Sequence, residues 1–273
     1  MSDRAFSFMS LNSRDKKLRK IGVTEIRGPY YSVMGTRYLT DLLETVGEYV
    51  DGLKFAGGSF ALMPRDEVKK MIDLAHKYNV YVSTGGWIEH VLTRGPEAVD
   101  KYMKEVKALG FDVLEISAGF ISLPMDDMVR LVEKANKLGL KAKPEVGIQF
   151  GAGGDTSPEI LEAEGTRDVR WAIRLAKRCL DAGAYMIMIE SEGITEDVKT
   201  WRTDVAAEII NELGLEKIMF EAADPKVFEW YIKNYGIDVN LFVDHSQIVQ
   251  LECLRSGIWG TKDTWGRMVS FRG

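Results

Sequence analysis

Short β-branched runs alternate with longer amphipathic ones eight times along this chain, and few architectures accommodate that rhythm. The runs that read as strands are 21–26, 52–56, 80–84, 112–117, 141–147, 185–190, 217–222 and 239–244. Helical patterns lie between them. In 65–78, Val68, Met71, Ile72 and Ala75 recur at helical spacing. In 124–138 the stripe is Met128, Leu131, Val132 and Ala135, and Pro124 fits a first helical turn. The segments 167–182, 204–213, 225–235 and 246–255 continue the series. Gly110, Gly139, Gly183, Gly214 and Gly236 follow helical stretches, where a left-handed cap needs glycine. Strict βα alternation implies a parallel sheet covered by helices. Eight units in 273 residues favour closure into a single-domain α/β (β/α)8 TIM barrel over an open doubly wound sheet. No G-x-G-x-x-G follows the first strand, which further disfavours the open sheet. The expected division is an N-terminal extension over 1–20 and the barrel over 21–273. The longest stretch expected to be irregular is 150–164, and a loop of that length in a compact domain is more often functional than idle.

Composition narrows the function classes. The chain is 45% hydrophobic and 28% charged, a globular balance. A net charge of -5 gives no support for nucleic-acid binding, which needs a basic surface to neutralise phosphates. No apolar run approaches the roughly 20 residues of a membrane span. The start is polar and basic without an apolar core, so no signal peptide is visible and a cytoplasmic location is expected. Cys179 and Cys253 lie far apart, match no metal-ligand spacing, and read as small buried residues.

In a barrel, the C-terminal strand ends line the site. Here they carry Lys54, Gly85-Gly86, Glu115, Glu145, Glu190, Glu221 and Asp244, so four consecutive strands finish near a glutamate. Lys141, Lys143 and Glu145 alternate and therefore share one side of the fifth strand. Crowded carboxylates repel and need compensating cations. The candidates are the lysines and a divalent ion held by Glu115, Glu145, Glu190 or Glu221. Oxygen-rich ligands suit Mg²⁺ or Mn²⁺. A lysine placed like Lys143 could act as a general acid, bind an anionic substrate, or serve only as a structural ion pair. Gly85 and Gly86 permit close backbone approach of a ligand, and the run Gly151-Ala152-Gly153-Gly154-Asp155 could wrap an anion or act as a lid. Arg27, Arg202 and Arg255 are candidate oxyanion contacts, Arg202 being preferred for its place after the sixth strand. His76, His90 and His245 show no ligand spacing. A small anionic substrate and a homo-oligomeric barrel are expected.

Taken in order, several motifs resemble the phosphosulfolactate synthase family. They are the run 46–55 (VGEYVDGLKF), Gly85-Gly86, 109–117 (LGFDVLEIS), Glu145-Val146-Gly147, 181–184 (DAGA), Ile189-Glu190, Phe220-Glu221-Ala222, 239–241 (VNL) and 251–257 (LECLRSG). The resemblance implies a (β/α)8 lyase that adds sulfite to phosphoenolpyruvate with Mg²⁺. Glu145 and Glu190 would then help hold the metal, Lys54 and Ser117 would meet substrate, and a lysine would protonate carbon. Where the family pattern continues after Glu-Val-Gly with two lysines, this chain has Ile148 and Gln149. The runs 190–195 (ESEGIT) and 200–204 (TWRTD) are similar to a plant heat-stress-associated branch. Two expectations follow. Either Lys143 has taken over the missing lysine's task, or the chain is a non-catalytic stress-related barrel that binds a partner.

Overall fold

The computed structural model describes residues 4–259, 262 and 264–271. Eight parallel strands close into one barrel in sequence order: β1 (Thr24–Arg27), β2 (Gly52–Lys54), β3 (Tyr81–Ser83), β4 (Val113–Ile116), β5 (Lys141–Val146), β6 (Ile187–Ile189), β7 (Ile218–Glu221) and β8 (Leu241–Asp244). Closure is made by β8 pairing with β1, from Thr24 opposite Leu241 to Arg27 opposite Asp244. The strands are shorter than the hydrophobic runs suggest, because extended chain continues past the regular ladder. Tyr185 N–H still reaches the Ala142 carbonyl at 2.8 Å, two residues before β6 begins.

The helices are α1 (Thr36–Val46), α2 (Arg65–Lys77), α3 (Ile88–Leu92), α4 (Pro96–Leu109), α5 (Met125–Lys137), α6 (Pro158–Glu164), α7 (Val169–Asp181), α8 (Thr203–Leu213), α9 (Pro225–Tyr235) and α10 (Ile248–Arg255). The segment 150–164 is therefore not irregular throughout. Pro158 sits in the first turn of α6, where its fixed φ suits a helix and its missing N–H costs nothing. The last expected helix begins at Ile248, after a tight turn over 245–247 that the Asp244 side chain caps.

Strand alternation sends one set of side chains outward, under the helices. Ile26, Leu53, Val82, Leu114, Ile116, Val146, Ile187, Phe220 and Leu241 join the helical stripes in a single core. The inward set forms a separate small cluster of Val23, Met186, Met188, Met219 and Phe242, with Tyr81 and Tyr185 against it. Along β5 the inward residues climb in steps. Lys141 lies over the Tyr185 ring near the N-terminal opening, Lys143 is wholly buried, and Glu145 is partly exposed at the mouth. Apolar packing thus fills the lower barrel and charge fills the upper part.

The end opposite the mouth is closed by the segment expected to be an extension. Asn12 bonds the Arg255 and Met268 carbonyls at 3.0 and 2.6 Å, Arg14 pairs with Glu252, and Arg19 pairs with Asp51 at 2.6 Å. Arg255 is 0% exposed and donates to the Ile237 and Val239 carbonyls at 2.6 and 2.9 Å. Its pKa is pulled down to about 9 by burial first and by Arg14 second, against Glu252. As an oxyanion contact Arg255 is thereby corrected: it serves the base of the barrel, away from the strand ends. Arg255→Met should lower unfolding stability by about 3 kcal/mol, because it leaves two buried carbonyls and part of the Glu252 charge uncompensated. Urea titration with mouth-ligand binding measured in parallel would check this, since the two ends are separate.

Candidate active site

The strand ends open into a cleft of about 1160 Å³. Lys54, Glu115, Ser117, Glu145, Glu190 and Glu221 line it, as do Arg27, Gly85 and Gly86. Parallel pairing places each of these residues near the end of its own strand, so side chains far apart in sequence converge. Two expected residues do not join them. Arg202, at the start of α8, turns to Asp204 at 2.8 Å, while its neighbour Trp201 lines the cleft. Lys143 is 0% exposed and sits in the interior, outside the cleft-lining set.

Glu115 is shared by two ammonium groups, with Lys54 Nζ at 2.8 Å and Lys143 Nζ at 3.1 Å. Lys143 also pairs with Glu25, and Lys54 also reaches Glu221 Oε1 at 3.1 Å and lies 4.0 Å from the Phe242 ring centroid. Burial opposes the Glu115 charge, but Lys54 and Lys143 outweigh it and lower the pKa. Burial opposes the Lys54 charge too, and Glu115, Glu221, Glu25 and Glu145 together outweigh it and raise the pKa. Both groups therefore stay ionised. Glu115, expected among the metal ligands, is already engaged by lysines.

Among the described residues, Glu145 and Glu190 have no such partner. Glu145 is pushed to about 8 by burial, then by Glu115 and Glu221, with Lys54 and Ser117 acting the other way. Glu190 is raised well above its ordinary value by burial, then by Glu221 and Glu145. The Ser117 hydroxyl lies 2.7 Å from Glu145 Oε1 and also contacts Glu89. One hydroxyl has one proton to give, so Ser117 donates to one of these carboxyl groups at a time. Glu89 also accepts from the Gly119 and Phe120 N–H groups at 3.1 and 2.8 Å. Glu89 was invisible in the sequence because it is a lone glutamate on a short helical stretch.

The glycine-rich loop closes around a carboxyl group of the chain itself, that of Glu192. Glu192 accepts from the backbone N–H groups of Gly153 at 2.9 Å, Asp155 at 2.6 Å and Thr156 at 3.3 Å. This pins the loop over the carboxylate pair. A Cβ on Gly153, where φ is +103°, would lie 2.6 Å from Glu190 Oε2 and 3.9 Å from Glu145 Oε1. Across the mouth, the Tyr31 hydroxyl meets Asp155 at 3.1 Å. Gly85, with φ +63°, is required for a different reason: a Cβ there would stand 2.8 Å from the Phe55 carbonyl. Its freedom serves packing of one strand end on the next.

Two outcomes follow from this geometry. Glu145 and Glu190 keep protons in the folded chain at pH values where the unfolded chain has lost them. Between about 4.5 and about 8 the folded state binds more protons, so stability falls as pH rises through that window. Urea midpoints of chelator-treated protein should therefore drop across that range, and Glu145→Gln should flatten the slope. Glu192→Ala should speed amide exchange at Gly153, Asp155 and Thr156 by about tenfold or more, because each loses a charged acceptor.

The family model described as (2R)-phospho-3-sulfolactate synthase (ComA) matches residues 12–261. The chain is 44% identical over 259 residues to the protein Heat-Stress-Associated 32 of Arabidopsis thaliana, covering 91% of each chain. It is 30% identical over 274 residues to the phosphosulfolactate synthase of Methanothermobacter thermautotrophicus, covering 97% of this chain and 98% of the relative. Among solved structures, the barrel is similar to 2,3-dimethylmalate lyase, a PEP mutase/isocitrate lyase superfamily member, with a TM-score of 0.50 and 14% identity over 88% of this chain and 84% of that one. It is also similar to the Y628A carboxyl transferase domain of Rhizobium etli pyruvate carboxylase, with a TM-score of 0.57 and 12% identity over 82% of this chain and 40% of that one. Those likenesses are of fold. With matching motifs spread over the strand ends and the model spanning nearly its full length, the chain belongs to the phosphosulfolactate synthase (ComA) family.

Proposed function

We propose that the protein is a lyase of the phosphosulfolactate synthase type, adding sulfite to phosphoenolpyruvate or running a related addition or elimination on a small carboxylate anion. The observation that carries this reading is the under-compensated Glu145–Glu190 pair beside the ionised Lys54 on one cleft floor. Mg²⁺ suits that donor set in kind, being a hard cation met by oxygen ligands. Among the described residues, no group of three or more His, Cys, Asp or Glu side chains converges to hold a metal ion. Mg²⁺ is commonly held by one or two carboxylates and completes its shell with water and substrate oxygens, so Glu145 and Glu190 would be sufficient. When bound, the ion would neutralise these two acids and stabilise negative charge developing on the substrate carboxylate.

The chain's own groups supply the rest. The Arg27 guanidinium stands at the mouth, 4.7 Å from the Tyr31 ring centroid and 4.0 Å from Asp244, and is placed to meet a phosphate. Lys54 presents an ammonium to the substrate's carboxylate end. In the addition, a C–S bond forms at the methylene carbon, the carbon–carbon double bond is consumed and a proton arrives at the adjacent carbon. The phosphate ester stays intact. Lys54 would supply that proton, because it lines the floor and Lys143 does not.

The test is incubation of purified protein with phosphoenolpyruvate, sulfite and Mg²⁺, followed by mass analysis for phosphosulfolactate. Product is expected, and it should vanish with chelator and with Glu145→Gln. No product from folded, metal-supplied protein would sink the sulfite reading. The alternative of a partner-binding, stress-related barrel would then gain, in keeping with the similarity to the Arabidopsis protein.

A further inference from the structure

A second cavity of about 210 Å³ adjoins the first. Glu145 and Glu190 line both, so the two spaces meet at the carboxylate pair. The smaller chamber runs between the ends of β4 and β5 and the helices α5 and α7. Its walls include Leu123, Met128, Trp171 and Leu175, which are apolar. Protein interiors hold few voids larger than a water, and an apolar cavity of about 150 Å³ accepts a benzene molecule. This chamber is larger.

One cation lines it. Arg167 stacks its guanidinium on Trp171, 4.4 Å from the ring centroid, and its backbone N–H holds the Ile148 carbonyl at 2.6 Å. Among the described residues the Arg167 side chain has no carboxylate partner, unlike Arg14, Arg19, Arg178 and Arg202. A guanidinium held against an aromatic face, beside a chamber with one apolar wall and, among the described residues, with no carboxylate in ion-pair distance, is set to receive an oxyanion.

We infer that this chamber is a subsite for an extended organic acid: an apolar stem of several carbons lies along Leu123, Met128 and Leu175, and an anionic terminus pairs with Arg167. It opens at Glu145 and Glu190. Given the related addition or elimination proposed for the floor, the stem is then a substituent of an alternative reacting acid, a diacid whose second carboxylate reaches Arg167, taken in addition to phosphoenolpyruvate. Only that last assignment rests on the proposed function. The chamber and its ligand chemistry do not.

The test uses simple probes without divalent ions, so that it is independent of the floor. Acetate, hexanoate and hexan-1-ol are titrated into the full chain by calorimetry or ligand-observed NMR. Hexanoate should bind at least about tenfold more tightly than acetate, through its buried methylenes. It should also bind about tenfold more tightly than hexan-1-ol, through Arg167. Arg167→Met should erase the advantage over hexan-1-ol, and Arg167→Lys should keep part of it. Leu175→Trp, which fills the chamber, should remove hexanoate binding, with thermal melts confirming that each variant is folded. Equal binding of acetate and hexanoate, no binding of hexanoate, or hexanoate binding indifferent to Arg167→Met would overturn the inference. A separate titration of pyruvate and 2-oxoadipate with Mg²⁺ reads the floor: 2-oxoadipate favoured only when Mg²⁺ is present supports the link to the reacting centre. Hexanoate binding with no Mg²⁺ effect on either oxo acid would leave the chamber standing and remove its assignment to the reacting acid.

Discussion

The upper half of this barrel depends on one carboxylate shared between two ammonium groups. Glu115 stands within ion-pair distance of both Lys54 and Lys143, and these lysines carry the network on to Glu221 and Glu25. Barrel interiors are commonly filled by branched aliphatic side chains in layers. Here aliphatic, sulfur-containing and aromatic residues occupy the lower interior, and the space above belongs to charge. Such an arrangement is tolerable only when each charge meets its opposite, because an isolated buried ion is far costlier than a paired one. The network therefore fixes Lys54 in an ionised form at the floor and keeps Lys143 below it.

That pairing leaves a remainder. The lysines are committed to Glu115, Glu25 and Glu221, so Glu145 and Glu190 face one another without a cation in contact. Burial and mutual repulsion raise both acids, and the Ser117 hydroxyl links Glu145 to Glu89. The floor thus holds two carboxyl groups raised by burial and by one another beside an ammonium that stays charged. Glu192 contributes by a different route, gathering three loop N–H groups so that Gly153 closes over the same pair.

The two ends of the barrel divide the work. At the base, Arg14, Arg19 and Arg255 are bound to carbonyls and acids and close the structure. At the mouth, Arg27 lies beside aromatic rings at a looser distance from Asp244; at the adjoining chamber, Arg167 stacks on Trp171 and, among the described residues, has no carboxylate partner. Guanidinium groups paired within the chain hold the base together, whereas Arg27 and Arg167 lie against aromatic rings. The Ile148 and Gln149 positions follow the same logic. Ile148 is buried and Gln149 bonds the Leu161 carbonyl at 2.9 Å, so the residues after Glu145-Val146-Gly147 serve packing here.

The sequence by itself determined the barrel, because strand and helix periodicities are local and eight alternations admit few closures. It also determined the ring of strand-end residues, since side-chain parity along a strand follows from the pleat: Lys141, Lys143 and Glu145 do share the interior face. Spacing along the chain does not encode depth, and depth separated these three residues into base, interior and mouth. Only the tertiary structure decided that Glu115 is spent on lysines while Glu145 and Glu190 are not, for charge compensation depends on distances between strands. It likewise sent Arg202 to Asp204 and Arg255 to the base, and it brought in Glu89 and Glu192, which no local pattern marks. The helix α6 within the long loop was legible only through Ser157-Pro158, a start signal too short to stand against the surrounding glycines. Local chemistry set the scaffold, and through-space electrostatics chose which of its acids remain free to act.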